Sequence, residues 1–539
     1  YVIAYQLKKG KTVKGLKGLL YVNKSDHALQ NVIASPNVPL DGFDIRIRQM
    51  FEKVEGRWFP KQLNSLLELK TVEVEGFDLY GIGRTYISNV EINPDLTRKD
   101  IGYLAVSSDE NAGNQPDSLW AIYRKDRYDH RDSLTYHVLD SIGDAEKLDE
   151  KLVLLQALIT GKIPIRKVNV DLRHLIKANS YETIRLGLGL ETNSKWHDRW
   201  QLHGRFGYGF KDRGWKYGGG LIRWFNKQAN SKIEILAEQD VIERGGQNFR
   251  SGGSFLSTSN IYQFYVDQMD QRAMVQLRGG SKLPGWLEFE AGVSMAEWRG
   301  TQDYAELVEL NENITARRND AQEFVGSLKL RWSFREKVVE TGRGRVVFES
   351  PFPIVQVQVE QAISDIWGDL DYTRIGVQID QSFRVPSFGT TRVKLLGGVV
   401  TDAPPVYRQF TVRGTGVNNT LASRGVLETL PPQSVFTPKY AAFSVEHSFK
   451  DLLFSSKYVQ PGISLVHNVA FAEELAGEHE NLESTNLESG HYEGGVIISN
   501  LLKFGTAGYG LGIFANYNDG DDLMWKSDVF LKLNVNVAF

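Results

Sequence analysis

The chain has no cysteine in 539 residues. Thiol nucleophiles, thiolate metal sites and disulfides are therefore excluded, although the absence does not fix a compartment. It also lacks any run of about 18 apolar residues, the length an apolar helix needs to cross a bilayer. With a mean hydropathy of −0.32, a helical membrane protein is excluded. A membrane barrel is not, because only alternate residues of its strands need be apolar. An excess of one charge sign is missing too: 63 Lys and Arg against 66 Asp and Glu leave a formal net charge of −3. Nothing draws such a chain generally to nucleic acid or to an anionic membrane surface. The sequence opens at Tyr1 without Met or a signal peptide, and reads as a mature or partial product. What is abundant is glycine, at 51, and aromatic residues, with 27 Phe, 22 Tyr and 11 Trp. At this length two or more structural units are expected.

Residues 1–115 read as a soluble β-rich domain, with strands expected at 1–7, 18–23, 43–53, 58–69 and 82–92 between turn residues. Residues 116–175 read as a helical connector. Pro116-Asp117-Ser118 opens one run through Leu119, Trp120 and Tyr123, and Asp132-Ser133 opens another. The stretch 149–160 carries Leu152, Leu155, Ala157, Leu158 and Ile159, with Gly161 placed as its C-terminal cap and Pro164 beyond it.

From 176 to 539 the period changes to two. Ile184, Leu186, Leu188 and Leu190 alternate with Arg185, Gly187, Gly189 and Glu191. Leu202, Phe206, Tyr208 and Phe210 alternate with Gln201, His203, Arg205 and Gly207, and a tight Asp212-Arg213-Gly214 turn leads into the next strand, 215–225. Further strands read at 232–242, 273–282, 286–298, 324–332, 354–363, 374–385, 391–400, 440–449, 464–471, 492–502 and 508–517. The last fourteen residues, 526–539, place Val529, Leu531, Leu533, Val535, Val537 and Phe539 on one face and Asp528, Lys532, Asn534 and Asn536 on the other. Closed bacterial barrels take even strand numbers, so these segments predict a transmembrane antiparallel β-barrel of about sixteen strands behind the β-rich domain. Trp200, Trp215, Tyr217, Trp224, Tyr517 and Trp525, near strand ends, suit an aromatic girdle. A large soluble β-sandwich would share the alternation but not so many strands of spanning length. Closure is expected between the strand that starts near Tyr181 and the one that ends at Phe539. On this register Leu188→Arg should be costly and Gly189→Ser nearly neutral.

Chemistry is sparse. The ten His residues show no metal spacing, His130 and His137 read as solvated, and Glu446 and His447 point to opposite faces of a strand. The acidic cluster around Glu478-His479-Glu480 reads as a solvated loop rather than a cation site. No dinucleotide fingerprint and no Ser–His–acid set can be assembled, so no cofactor, metal or catalytic residue is assigned and an enzyme at the barrel rim has no support. One segment stands apart: 401–439, with Pro404-Pro405, Val412-Arg413-Gly414 and Pro431-Pro432. A loop of this length usually has a task or is disordered. Its plain readings are a surface loop, or a lumen plug held by an Arg–carboxylate pair.

Val412-Arg413-Gly414 in a long loop, followed by about five strands, resembles the barrel superfamily of BamA, TamA and FhaC, whose sixth outer loop carries a V/I-R-G-F/Y motif with its Arg in the lumen. The match is partial: Thr415 stands where that motif has an aromatic, and no tandem POTRA repeats are recognisable upstream. A wider resemblance runs through GLKGLLYVN (15–23), GIGRTYISNVEINPDL (81–96), LITGKIPI (158–165), YETIRLGLGLETN (181–193), FSVEHSF (443–449) and HYEGGVIISNLLKFG (491–505). These look like a Bacteroidota family of outer-membrane proteins of unknown function, often called carboxypeptidase-regulatory-like domain proteins after a small β-sandwich that would precede Tyr1. The resemblances imply a bacterial outer-membrane location with residues 1–115 in the periplasm. They also imply a non-enzymatic role in outer-membrane protein biogenesis or export within an envelope complex. The expected surroundings are outer-membrane lipid, lipopolysaccharide and other envelope proteins, with no nucleic acid. The alternative is a passive or gated channel for small solutes.

Overall fold

Short polar turns between alternating segments set the first unit. The computed structural model describes residues 1–537 apart from 9–14, 38–42, 75–76, 97–105, 108–114, 124–156, 158–160, 228, 248, 250–257, 284–285, 303, 312–313, 342–343, 386–387, 450–458, 505–506 and 518–528. In it Val2–Tyr5, Leu16–Val22, Leu29–Pro36, Phe43–Val54, Arg57–Val74 and Phe77–Tyr86 form a six-stranded antiparallel meander in chain order. The hairpin at its centre turns on Glu55 and Gly56, whose φ values of 48° and 80° match the right-handed twist of the flanking strands. Leu29–Pro36 is a strand that the turn-rich sequence around it conceals. Asp26 accepts from Trp58 Nε1 at 2.9 Å and pairs with Lys53 at 2.8 Å, which clips the turn before that strand to the central hairpin.

Asp117–Tyr123 is helical, as Pro116-Asp117-Ser118 predicts. The run opened by Asp132-Ser133 lies outside the described residues, as does most of 149–160. Gly161 has a φ of 73° and its N–H donates to Ala157 O at 2.7 Å, the geometry of a C-terminal glycine cap. The connector stops there rather than at 175. Lys162–Ile165 and Val168–Asp171 are strands joined by a turn at Arg166, with φ 51°. Pro164 blocks a helix but is tolerated in this short strand.

These strands belong to a second unit built on a nineteen-stranded sheet. Fifteen of its strands form one antiparallel meander from Thr183–Thr192 to Val529–Val537, each paired with the next. Val168–Asp171 and Ile176–Asn179 both pair with Thr183–Thr192 and line up as one further strand. A 3₁₀ turn at Leu172–His174 interrupts it, capped by the Asp171 carboxylate, which accepts from Arg173 N at 3.0 Å. Sixteen spanning positions result among the described residues, with nine to eighteen residues in each unbroken strand. A strand tilted across a bilayer needs about 9–11.

Burial along these strands is inverted relative to a soluble sheet. Leu186 is 46% exposed while Arg185 beside it is 7% exposed, and Leu533 is 48% exposed while Lys532 is fully buried. Tyr217, Phe206, Ile235, Val275 and Leu277 continue the exposed apolar face. Inside, Arg205 bridges Glu238 and Asp240 at 2.6 and 2.9 Å, Arg272 reaches Glu238 at 2.7 Å, and Arg278 reaches Glu234 at 3.0 Å. A charged interior behind an apolar exterior is stable only if the exterior meets hydrocarbon, so the sheet is a membrane-spanning barrel wall. Among the described residues no helix is long and apolar enough to cross a membrane.

Two expectations change. Trp224 shares inward parity with Lys216 and donates Nε1 to Gln201 Oε1 at 2.9 Å, so it lines the lumen instead of the girdle. Trp200 and Trp215 do open their strands, and Trp525 lies outside the described residues. Gly189→Ser is not neutral, because a Cβ there would stand 2.6 Å from the His174 ring and 3.1 Å from Asp171 Cβ. We expect Leu188→Arg on the lipid side to cost about 2–4 kcal/mol at mid-depth. The inward control Ser294→Ala should stay within about 0.5 kcal/mol of the parent. Denaturant titration of barrel unfolding checks both, and equal tolerance would overturn the register.

Candidate functional site

The connection 401–438 leaves Gly389–Val400 and returns as Lys439–Phe449, two strands paired side by side from Thr390↔Ser448 to Val399↔Lys439. A short turn would suffice to join them. Instead the chain folds back into the barrel, where Phe410, Val412, Leu427, Leu430 and Val435 pack with the wall residues Trp298, Tyr372 and Tyr440 in one core.

Charged wall residues grip this loop at five places. Arg408 donates Nε to Glu323 Oε2 at 2.9 Å and a second bond to Oε1, while Trp298 and the Tyr372 hydroxyl donate to the same carboxylate at 2.6 and 2.8 Å. Trp298 also stacks on Tyr407, with centroids 4.6 Å apart. Burial works against the Arg408 charge, but Glu323 outweighs it and holds the guanidinium above its ordinary pKa. Arg413 donates Nη2 to Glu243 Oε2 at 3.0 Å and to Gln247 O at 2.9 Å, over the ring of Tyr262 at 4.9 Å. Tyr262 in turn donates to Glu243 Oε1 at 2.8 Å. Arg424 meets Glu446 at 2.8 Å. Glu493 accepts the backbone N–H groups of Glu428 and Thr429 at 2.7 and 2.8 Å. Lys532, on the final strand, donates to Thr415 O, to Val417 O at 2.9 Å and to Thr420 Oγ1 at 3.1 Å.

The motif residues have separable roles. Val412 is core. Arg413 carries the pair to Glu243. Gly414 is required by space, since a Cβ there would lie 2.2 Å from Leu430 O. Thr415, in the place of an aromatic, is fully buried and donates Oγ1 to Glu428 at 2.7 Å. Burial pushes the Glu428 carboxyl up to about 7, while Thr415 and Lys532 pull it back.

The loop also reaches the edge of the final strand. Thr420–Leu421 pairs in parallel with Val529–Val537 through Thr420↔Lys532 and Leu421↔Leu533. Asn419 N donates to Leu531 O and Ala422 N to Leu533 O, both at 2.8 Å, and the Asn418 side chain accepts from Leu531 N at 2.8 Å. Beside the loop the lumen keeps a cavity of about 700 Å³ lined by Arg205, Glu238, Arg272, Arg278 and Lys329.

Of the expected closure pair, only Tyr181 is among the described residues. Phe539 lies outside the described residues. Tyr181 sits in a turn, donates its N–H to Val266 O at 3.1 Å and packs beside Val241 and Tyr262. The strand after it has both edges occupied, by Trp200–Gly209 and by the broken strand 168–179, so it is not the partner of the final strand. Glu243, Glu323, Glu493 and Lys532 were not singled out from sequence, although their inward parity and the three arginines of the loop hint at such pairs.

Among solved structures the chain is similar to BamA from Haemophilus ducreyi lacking POTRA domains 1-3, at 9% identity and a TM-score of 0.43 over 88% of this chain and 89% of that one. It is also similar to CdiB from Acinetobacter baumannii (9% identity, TM-score 0.35, 66% of this chain and 57% of that chain) and CdiB from Escherichia coli (11%, 0.36, 70% and 63%). No curated protein matches it. Residues 162–477, from the first barrel strand past the lumen loop, match the C-terminal domain of the family of unknown function DUF5686. That match covers more than half of the sequence and includes the whole loop with three of its five wall anchors, Glu243, Glu323 and Glu446, so the chain belongs to the DUF5686 family.

Proposed function

We propose that this protein acts without catalysis in outer-membrane protein biogenesis or export, as part of an envelope complex, with its N-terminal sheet in the periplasm. One observation carries the reading: the loop bearing Val412-Arg413-Gly414 crosses the lumen and is pinned by Glu243, Glu323, Glu446, Glu493 and Lys532. A wall built only to pass solutes gains nothing from a plug held by so many charge-assisted hydrogen bonds. A bistable plug, by contrast, suits a protein that opens for a partner or client. The superfamily-like loop is analogy, and the geometry gives it a physical form.

The test is functional complementation with Arg413→Ala and Arg413→Lys, read beside native co-purification. Arg413→Ala should lower client accumulation in the outer membrane at least tenfold with the barrel still folded. Arg413→Lys should be intermediate, because lysine cannot reproduce the planar fork. Purification of the protein alone, with steady solute flux in liposomes, would defeat the reading and favour a channel through the 700 Å³ cavity.

A further inference from the structure

The loop leaves part of its own side of the barrel unfilled. Between its stretches 411–413 and 424–427 and the strands Gly389–Val400 and Lys439–Phe449 lies a cavity of about 250 Å³. Phe249, Leu396, Val412, Leu427, Ala442 and Val469 give it an apolar body.

The polar groups at its boundary are only half used. Gln247 accepts the Tyr440 hydroxyl at 2.7 Å through Oε1, and its Nε2 has no partner among the described residues. Asn468 spends Nδ2 on Val426 O and Glu493, and its Oδ1 has no partner among the described residues. Thr411 Oγ1 likewise has no partner among the described residues. All three residues are buried and all three line this cavity. Buried polar atoms are normally satisfied, so three exceptions around one space call for an occupant.

Charge narrows its chemistry. Three cations line the cavity. Arg413 and Arg424 are already paired with Glu243 and Glu446. Lys394 makes no direct ion pair or hydrogen bond among the described residues; its cross-strand neighbour Asp380, which accepts from Gln378 Nε2 at 2.5 Å, acts on it only through space. One cation at the cavity without a direct partner suits a single negative charge, and the apolar walls argue against a sugar or a phosphate-rich ligand.

We propose that this cavity binds a monocarboxylate amphiphile. Its carboxylate sits on Lys394 with hydrogen bonds from Gln247 Nε2 and Thr411 Oγ1, and its hydrocarbon body lies against Leu396, Ala442, Val412 and Leu427. Asn468 Oδ1 offers an acceptor for a hydroxyl or amide hydrogen on the same ligand. This does not depend on the role in biogenesis.

The experiment is calorimetric titration of the full chain in maltoside micelles at pH 7 with octanoate, and separately with octanol. Octanoate should bind saturably at one site per chain and octanol should not. Lys394→Met should weaken octanoate at least tenfold, and Ala442→Trp, which fills the cavity from the wall, should abolish it. Should Lys394→Met fail to fold, Ala442→Trp and the octanol comparison carry the same test. Absence of a saturable site in the parent protein would mean that water satisfies these atoms, and would overturn the proposal. So would octanol binding as tightly as octanoate, or octanoate binding that survives either substitution.

Discussion

Arg408→Met should destabilise the folded barrel by about 3–5 kcal/mol, the usual cost of removing one partner from a buried ion pair. The size follows from what remains. Glu323 is fully buried on Asp320–Ser333, and after the substitution its charge would face, among the described residues, two neutral donors, Trp298 Nε1 and the Tyr372 hydroxyl. Methionine approximates the length of the arginine stem, so the packing against Trp298 is largely kept and the change is mainly electrostatic. Adding Glu323→Gln removes the stranded charge yet keeps an acceptor, and the double variant should recover more than half of the loss. Urea titration of the parent, both single variants and the double variant closes the cycle. Losses that simply add would mean that Arg408 and Glu323 do not hold the loop as a pair.

That result would also measure what the sequence concealed. Period-two alternation made the wall legible: Leu531, Lys532 and Leu533 fall on the faces expected of them, because in a barrel parity alone decides lipid or lumen. The strand number was nearly legible. The missing member, 168–179, is broken by a capped 3₁₀ turn, and no run of alternation survives across Leu172–His174. Trp224 misled through its side chain, since an aromatic near a strand end suggests a girdle while its parity with Lys216 sends it inward. The loop announced itself by length and by Val412-Arg413-Gly414. Its anchors did not, because Glu243 and Glu493 lie far from it in sequence. Only the curvature of the sheet brings them within 3 Å of Arg413 and of the Glu428 and Thr429 amides. The same break hides that the free edge of the strand after Tyr181 is taken by residues 168–179.

Locking the loop to the final strand should give the other large effect. The chain has no cysteine, so a pair introduced as Leu421→Cys and Leu533→Cys has no competitor. These residues are register partners in adjacent strands, which lie about 4.7–4.9 Å apart, a spacing that a disulfide spans without moving the backbone. Closing a segment of this length should raise resistance to unfolding by roughly 4 kcal/mol. If the loop must leave that edge for the barrel to work, the oxidised protein will be more stable and inactive, with activity in outer-membrane assembly restored by reductant. Each single cysteine variant should behave as the parent. Stability and function then move in opposite directions, which a merely damaged barrel cannot imitate. Full activity of the oxidised pair would show that the edge of Val529–Val537 is permanently covered by Thr420–Leu421 and that opening, if it occurs, lies at the Glu243 and Glu323 anchors instead.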